Sequence, residues 1–321
     1  MVPGTLSSSS EVPGVVMLAD LLCDYSPAVV PARSLQQRKA ARLARLCRQA
    51  LVAEAELTPK PGLVDRRGSG SHKDLSLSVM RRSAIAIEPY FYAMALISSG
   101  EYACQDLRER LAVIGRAAES AMYKATGGSN AHKGAIWILG LLVSGAAITN
   151  AGATAGNIAH IASKIAAFED RAAPGTITHG HVVTATYGVR GARGEALEGF
   201  PHIVEIGLPT IRDKRSQGLS EAVARRDTLL SIMSRLDDTC ILYRGKAAAL
   251  RVVKAGATKI MAAGGCGTRV GALAFMDFDR QLVDTRISPG GSADLLAATL
   301  FIDAMERGQN EVQQDQSWTE E

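Results

Sequence analysis

The residues best suited to chemistry collect in one phrase, Thr58 to Asp74 (TPKPGLVDRRGSGSHKD), where Asp65, His72 and Asp74 alternate with Lys60, Arg66, Arg67 and Lys73. Mixed charges among glycines suit a polyphosphate with its metal. The cations neutralise phosphate oxygens, carboxylates share a divalent ion, and glycine lets backbone N–H groups come close. Two prolines remove slack from the segment. It reads as a binding loop, since a linker would not need this density of charge.

Further phrases repeat the same logic. Gly127-Gly128-Ser129-Asn130-Ala131-His132-Lys133-Gly134 opens a strongly apolar stretch, so a helix N-terminus there would offer free N–H groups to an anion, with Asn130 as cap and His132 and Lys133 as donors. An ordinary capped helix start would use the same residues, and the GxxxxGK spacing of a Walker loop is absent. Ser288-Pro289-Gly290-Gly291-Ser292-Ala293-Asp294 reads as another helix start, with Ser292 as cap; Asp294 there serves either the helix dipole or a ligand. Arg190, Arg193, Glu195 and Glu198 lie among glycines in Tyr187 to Pro201, a pattern open to phosphate binding or to a solvated turn. His179 and His181 lack a third ligand of matching type, which argues against zinc and leaves a ligand-bonding or merely satisfied His179. The adjacent acids Asp237 and Asp238 follow a helix end, where they oppose the dipole unless a cation or a new helix start accounts for them.

Helices must carry these turns. Gln36 to Glu56 places Ala41, Leu43, Ala44, Leu46, Cys47, Ala50 and Leu51 at helical spacing, with Arg and Lys on the other face. Helical patterns recur over about 73–98, 106–123, 131–148, 154–169, 219–236, 246–262 and 292–306. The only strand-like phrase is His181 to Val189 (HVVTATYGV), and aromatics at 5% leave little for a large sheet. The expected fold is all-α, a single multi-helix bundle-like domain with Gly-rich functional loops. Its body spans 35–307, between a flexible N-terminal segment (1–34) and a polar tail (308–321).

Composition narrows the function. A formal charge of +4, from 36 basic and 32 acidic residues, is too mild for a nucleic-acid surface without a concentrated stripe, and a small anionic ligand accounts for it more simply. Five scattered cysteines with no CxxC pair point to a reducing cytoplasm. Gly134 to Thr149 is shorter than the ~20 residues of a membrane span and reads as a core helix. A second copy of the chain is a candidate partner.

Taken in order, TPKPGLVDRRGSGSHKD, ATGGSNAHKGAIWILGLL, THG, YGVRGARGEALEGFP, DDTCILYRG and SPGGSADLLAATLF resemble the triphosphoribosyl-dephospho-coenzyme A synthase family from about Glu54 to Met305. AHKGAIW and GARGEALEGFP look more like the malonate decarboxylase branch than the citrate lyase branch. Tyr243 and Lys246 stand where the family's phrase carries a His and a second Gly.

The resemblance implies transfer of the 5-triphosphoribosyl group of ATP to the 2′-hydroxyl of 3′-dephospho-CoA, with adenine released and Mg²⁺ arriving with the triphosphate. Displacement at the anomeric carbon passes through an oxocarbenium-like state and calls for acids and a base, for which Asp74, Glu195 and His72 are candidates. Asp65, Asp74 and Asp294 are candidate metal ligands. Lys60, Lys73, Gly127, Gly128, Asn130, His132, Lys133, His179, Arg193, Gly290, Gly291 and Ser292 are candidate phosphate or substrate contacts. Two other readings remain open: a helical metal-dependent nucleotide or ADP-ribosyl hydrolase, and a phospholigand-binding regulator without chemistry.

Overall fold

Ser34 starts the body of the molecule. Its hydroxyl accepts from the Gln37 N–H while the Gln37 side chain accepts from the Ser34 N–H, a reciprocal cap that launches α1 (Leu35–Glu56). Ser76 caps α2 (Leu77–Ser98) in a simpler way. The third helix, α3 (Gln105–Thr126), ends where Gly127 turns left-handed at φ 68°, and the Gly128 N–H closes the turn onto Tyr123 O at 2.8 Å. The computed structural model describes residues 34–150, 152–175 and 178–317 with Leu22 and Tyr25, and side chains through Gly308. Among these residues there is no strand, only an isolated bridge between Asp65 and Gly68. The expected all-α architecture is the one observed.

The centre is α4 (Lys133–Ile148). Nearly every side chain from Ala135 to Ala147 is buried, and a helix apolar on all sides must be surrounded. It packs against α1, α2, α3, α5 (Ala155–Ala167) and the final helix. Gly145 allows α5 to come in closely, since a Cβ there would lie 2.5 Å from Ile158 O. None of the described helices is long and apolar enough to cross a membrane.

The second half packs on this core through its last helix and the segment 191–197. It comprises α6 (His179–Tyr187), α7 (Gly191–Leu197), a π-helical turn (His202–Gly207) running into α8 (Leu208–Ser216), α9 (Glu221–Arg235), α10 (Thr239–Ala262), a 3₁₀ turn (Gly265–Gly267), α11 (Arg269–Asp284) and α12 (Gly290–Ser317). The strand-like reading of His181 to Val189 is corrected here: Thr178 caps the segment as α6, and Gly188 ends it at φ 67°. End caps and packing on α10 outweigh the β-preference of its valines and threonines. Residues 191–197, 202–216 and 269–284 are helical without having been expected. In α11 the face carrying Phe275, Phe278 and Leu282 is buried, while Val270 and Leu273 stay exposed. The last helix runs to Ser317 and not to about 306. The expected flexible segment over 1–34 lies almost wholly outside the described residues.

Two helix starts meet at one carboxylate. Asp238, 1% exposed, accepts from Cys240 N (2.9 Å) and Ile241 N (3.4 Å) at the head of α10. It also accepts from Gly291 N (3.3 Å), Ser292 N (2.8 Å) and Ser292 Oγ (2.9 Å) at the head of α12. Ser292 was expected to cap its own helix; it sits inside the first turn and donates to Asp238 instead. The expected start of a helix at 246 also moves, because α10 begins at Thr239 and kinks at Lys246, whose φ of 58° and ψ of −170° belong to a region occupied almost only by glycine. This kink sets the short arm 239–245, with Arg244, at an angle to the rest of α10.

Asp238→Ala should lower unfolding free energy by about 2–4 kcal/mol, as two helix N-termini lose their cap; a denaturant titration measures it. Lys246→Gly should raise stability by about 1 kcal/mol, since the exposed lysine contributes strain and little packing. An unchanged midpoint for Lys246→Gly would show that the kink is not strained.

Candidate functional site

The 58–74 loop is fixed by its own charges. Asp65, buried, accepts from Lys60 N (3.0 Å), Arg67 N (2.7 Å) and Arg67 Nη2 (2.6 Å). Arg67 continues to Asp279 at 2.8 Å, and Asp279 accepts from Gly62 N at 3.1 Å. Ser71 Oγ donates to Ile287 O (2.8 Å) and Leu282 O (3.0 Å), so the loop is bolted to the turn before α12. Asp65 thus organises the loop from within. Lys60, 1% exposed, points inward to Glu54 at 2.5 Å.

Four segments converge on this inner face: the loop, the head of α4, the head of α12 and the short arm of α10. His72 Nε2 meets Ser288 Oγ at 2.8 Å, and its Nδ1 lies 3.9 Å from the exposed Asp74 carboxylate. Ser129 Oγ donates to Asp74 O at 3.1 Å, which ties the loop to the turn before α4. His132, 3% exposed, pairs through Nδ1 with Ser83 Oγ at 2.7 Å, and its buried Nε2 has no partner among the described residues. Gly134 lets α12 approach, because a Cβ at this position would lie 2.1 Å from Asp294 Oδ2.

The electrostatics follow from burial. Burial pushes the Asp294 carboxyl well above the usual carboxylate range, and Glu54 and Asp238 add to the shift by repulsion while the Ala135 N–H opposes it. Asp238 is raised by burial as well, against the pull of its hydrogen bonds to Ser292, Cys240 and Gly291. Burial, then Arg244 and Lys60, lowers His72 to about 4 despite Asp74; burial and Lys60 lower His132 to about 3. At neutral pH the site therefore holds two neutral imidazoles and three crowded carboxyl groups, with Lys60 and Arg244 as nearby cations. Among the described residues no three His, Cys, Asp or Glu side chains form a preassembled metal site.

A neighbouring cleft of about 430 Å³ is lined by Tyr187, Arg190, Glu195, Glu198, Leu236 and Asp237. Its wall abuts the inner site, since Asp237 precedes Asp238. Buried Glu195 accepts from His202 N (2.9 Å) and stands 2.7 Å from His202 Nδ1. Phe200, fully buried at φ 58°, forms the tight return that folds His202 back onto Glu195.

The candidates named from sequence therefore separate into groups. Lys60, His72, Asp74, His132, Gly290, Gly291, Ser292 and Asp294 share the inner site, with Gly290 and Gly291 allowing α12 close to Cys240 and Asp238. Glu195 and Arg193 belong to the cleft side. Gly127 and Gly128 end α3, Asn130 Oδ1 accepts from Lys133 N at 3.1 Å, and Lys133 Nζ pairs with Glu119 at 2.9 Å. Lys73 is exposed, and His179 stacks on Tyr243 with ring centroids 3.8 Å apart. Glu54, Arg244, Ser288 and His202 were not among the named candidates, and Asp238 was named only with Asp237 as an acid that needs a cation or a helix start. Glu54 had a signal: an acid on the apolar face of α1, one turn beyond Ala50 and Leu51.

Comparison with known proteins agrees with this picture. The family described as ATP:dephospho-CoA triphosphoribosyl transferase matches residues 40–313. A probable 2-(5''-triphosphoribosyl)-3'-dephosphocoenzyme-A synthase from Pseudomonas fluorescens is 48% identical over 271 residues, covering 84% of this chain and 93% of the relative. One from Stutzerimonas stutzeri, also named probable, is 49% identical over 268 residues, covering 83% and 92%. The 2-(5''-triphosphoribosyl)-3'-dephosphocoenzyme-A synthase of Klebsiella pneumoniae is 44% identical over 261 residues, covering 81% and 93%. No solved structure matches. With the match running from α1 into α12 and including every loop of the site, the chain belongs to the ATP:dephospho-CoA triphosphoribosyl transferase family.

Proposed function

We propose that this enzyme moves the 5-triphosphoribosyl group of ATP onto the 2′-hydroxyl of 3′-dephospho-CoA, releases adenine, and supplies the prosthetic-group precursor of a malonate decarboxylase acyl carrier protein. The reaction class rests on family membership. The malonate branch rests on the AHKGAIW and GARGEALEGFP phrases, and a cytoplasmic setting on the scattered cysteines, with Cys47, Cys104, Cys240 and Cys266 all free. The observation that carries the site is the meeting of Asp294, Glu54 and Asp238 with Lys60 and two neutral imidazoles at the junction of four segments.

Breaking the bond between C1′ and adenine leaves positive charge on the sugar and negative charge on the base. A carboxylate beside the anomeric carbon stabilises the first, and a hydrogen-bond donor to an adenine nitrogen stabilises the second. His132 fits the donor role: with Nδ1 accepting the Ser83 hydroxyl proton, Nε2 carries hydrogen and is free. A neutral imidazole can donate here much as it does to a developing oxyanion elsewhere. Glu195 holds the Nδ1–H tautomer of His202, leaving Nε2 as the base for the acceptor hydroxyl, in the orienting role that a carboxylate plays towards imidazole.

Of the three acids expected to hold Mg²⁺, Asp294 is the one that would do so here, since Asp65 is spent on the Lys60 N–H and Arg67, and Asp74 is exposed beside His72. The donor set suits it, since crowding among Asp294, Glu54 and Asp238 is relieved by a cation as readily as by a proton. The ion would neutralise the triphosphate. Lys60 and Arg244 supply further positive charge from the protein.

Mass spectrometry of the purified protein with ATP, Mg²⁺ and 3′-dephospho-CoA should show the triphosphoribosyl adduct and free adenine, with adenine release dependent on the acceptor. Adenine released equally well without dephospho-CoA would indicate a hydrolase. Asp294→Asn should lower turnover by about a hundredfold or more while the helical circular-dichroism signal persists; full activity would remove Asp294 from the site.

The two imidazoles also predict a pH dependence of stability. Their native values lie below the ordinary 6.5, so the unfolded chain binds more protons, and stability is lost as pH falls below about 6.5 toward 4 and 3. Each contributes a slope of up to about 1.4 kcal/mol per pH unit. Asp238 and Asp294, with raised values, act in the opposite sense, so the difference between proteins isolates one group. Between pH 6.5 and 4.5, His132→Gln should lose stability with falling pH less steeply than the wild type in parallel denaturant titrations. Equal slopes would mean that His132 is not held neutral.

A further inference from the structure

One buried cation remains without an account. Arg108, near the start of α3, is 8% exposed, and its Nε is buried with no hydrogen-bond partner among the described residues. Its guanidinium lies over the Trp137 ring, 5.1 Å from the centroid, and no carboxylate forms an ion pair with it among those residues. Both acids in its neighbourhood are engaged elsewhere. Asp170 accepts from Arg116 Nη1 at 2.5 Å and from the Ala172 N–H at 3.2 Å; Glu109 accepts from Arg171 Nε at 2.5 Å and Gln105 Nε2 at 2.8 Å. Arg193 and Arg116 add positive charge close by and, with burial, disfavour the charged form of Arg108. An unpaired buried charge costs several kcal/mol unless something supplies the counter-charge.

We propose that Arg108, backed by Trp137 and joined by Arg193, binds a phosphate group of a polyphosphate substrate at a subsite beside the inner site. The position is consistent with a ligand that spans both. Trp137 lies one turn along α4 from Lys133 and Gly134, and its Nε1 donates to Ala192 O at 3.3 Å, which ties the ring to the α7 edge of the cleft. A planar guanidinium with free N–H groups presents paired donors to phosphate oxygens, and an aromatic face behind it fixes its plane without consuming those donors. Exposed Arg193 stands at the entrance, where it can close on an anion already held by Arg108. The inference rests on the reading that the ligands are nucleotide polyphosphates. Either ATP or the diphosphate of dephospho-CoA could supply the group.

Calorimetry on the full chain separates these sources. Wild type and Arg108→Gln are titrated in turn with inorganic triphosphate, ATP and dephospho-CoA, in the presence of Mg²⁺. Arg108→Gln should bind roughly tenfold or more weakly in the arm whose phosphate it holds, corresponding to one lost charge-assisted contact. Weakening with triphosphate and ATP assigns the subsite to ATP; weakening with dephospho-CoA alone assigns it to the acceptor. Unchanged affinity in all three arms overturns the subsite and leaves the proposed reaction standing. Wild-type binding of inorganic triphosphate without binding of either nucleotide, lost in the variant, supports the subsite and counts against the reaction. Should Arg108→Gln fail to fold, Arg193→Gln changes only an exposed residue and is expected to weaken the same arm; no change in any arm for that variant refutes the joint site.

Discussion

The site depends on a single carboxylate shared by two helix starts. Asp238 accepts from backbone N–H groups of both α10 and α12, and neither helix could keep its position if the other moved by much. Because those contacts are short and buried, the shared acid fixes where Asp294 emerges from α12 and where Arg244 emerges from α10. Burying it raises its proton affinity, and the convergent N–H groups and two positive dipole ends offset that cost. The capping function and the charge of the site are therefore inseparable: a neutral residue of similar shape would cap one helix adequately but would change the field at Asp294.

That field has a definite character. Three carboxyl groups crowd into a space with one buried lysine, while the two imidazoles that might have balanced them stay neutral. Carboxyl groups whose proton affinity is raised by burial, and at Asp294 by repulsion, suit a cation better than an anion. Under the proposed reaction that cation is the sugar, which becomes positive as its bond to adenine breaks. The cations expected to greet phosphate from the loop are partly spent on other tasks: Arg67 clamps Asp65 to Asp279, and Lys133 pairs with Glu119. Under the proposed reaction, positive charge for phosphate comes in part from elsewhere in the fold, and the Arg108 side of α4 carries it.

Much of this was legible in the sequence, and the limits have physical causes. The all-helical body could be read because apolar residues recur at helical spacing in α1, α3 and α5, and the loops stood out because glycine and charge collect there. The inner site was only half visible. His72 and Lys60 sit in a loop, and Asp294 at a helix start, whose composition announces them, whereas Glu54, Ser288 and Arg244 become neighbours only when segments distant in sequence meet. Asp238 could be read as a cap; that it caps two helices needs the tertiary structure. The strand-like HVVTATYGV failed because a nine-residue segment is decided by its caps and contacts more than by propensity. Lys246 marked itself by standing where the family's phrase carries glycine, and its backbone adopts a glycine-like conformation.

The separation of proton-accepting from proton-donating groups bears on how a triphosphate could be retained rather than hydrolysed. His72 and His132, with values of about 4 and 3, can offer N–H groups but are poor acceptors of a proton from water. The histidine oriented by a buried carboxylate, His202, is held by Glu195, which lines the neighbouring cleft. Under the proposed reaction, the group able to activate a hydroxyl serves the acceptor sugar, and the groups nearest the departing base cannot generate hydroxide. A site that concentrated its basic groups around the phosphates would favour attack at phosphorus. Here the division follows from burial: the inner site that α12 enters by pressing against Gly134 also keeps its two imidazoles neutral, which under the proposed reaction disfavours hydrolysis.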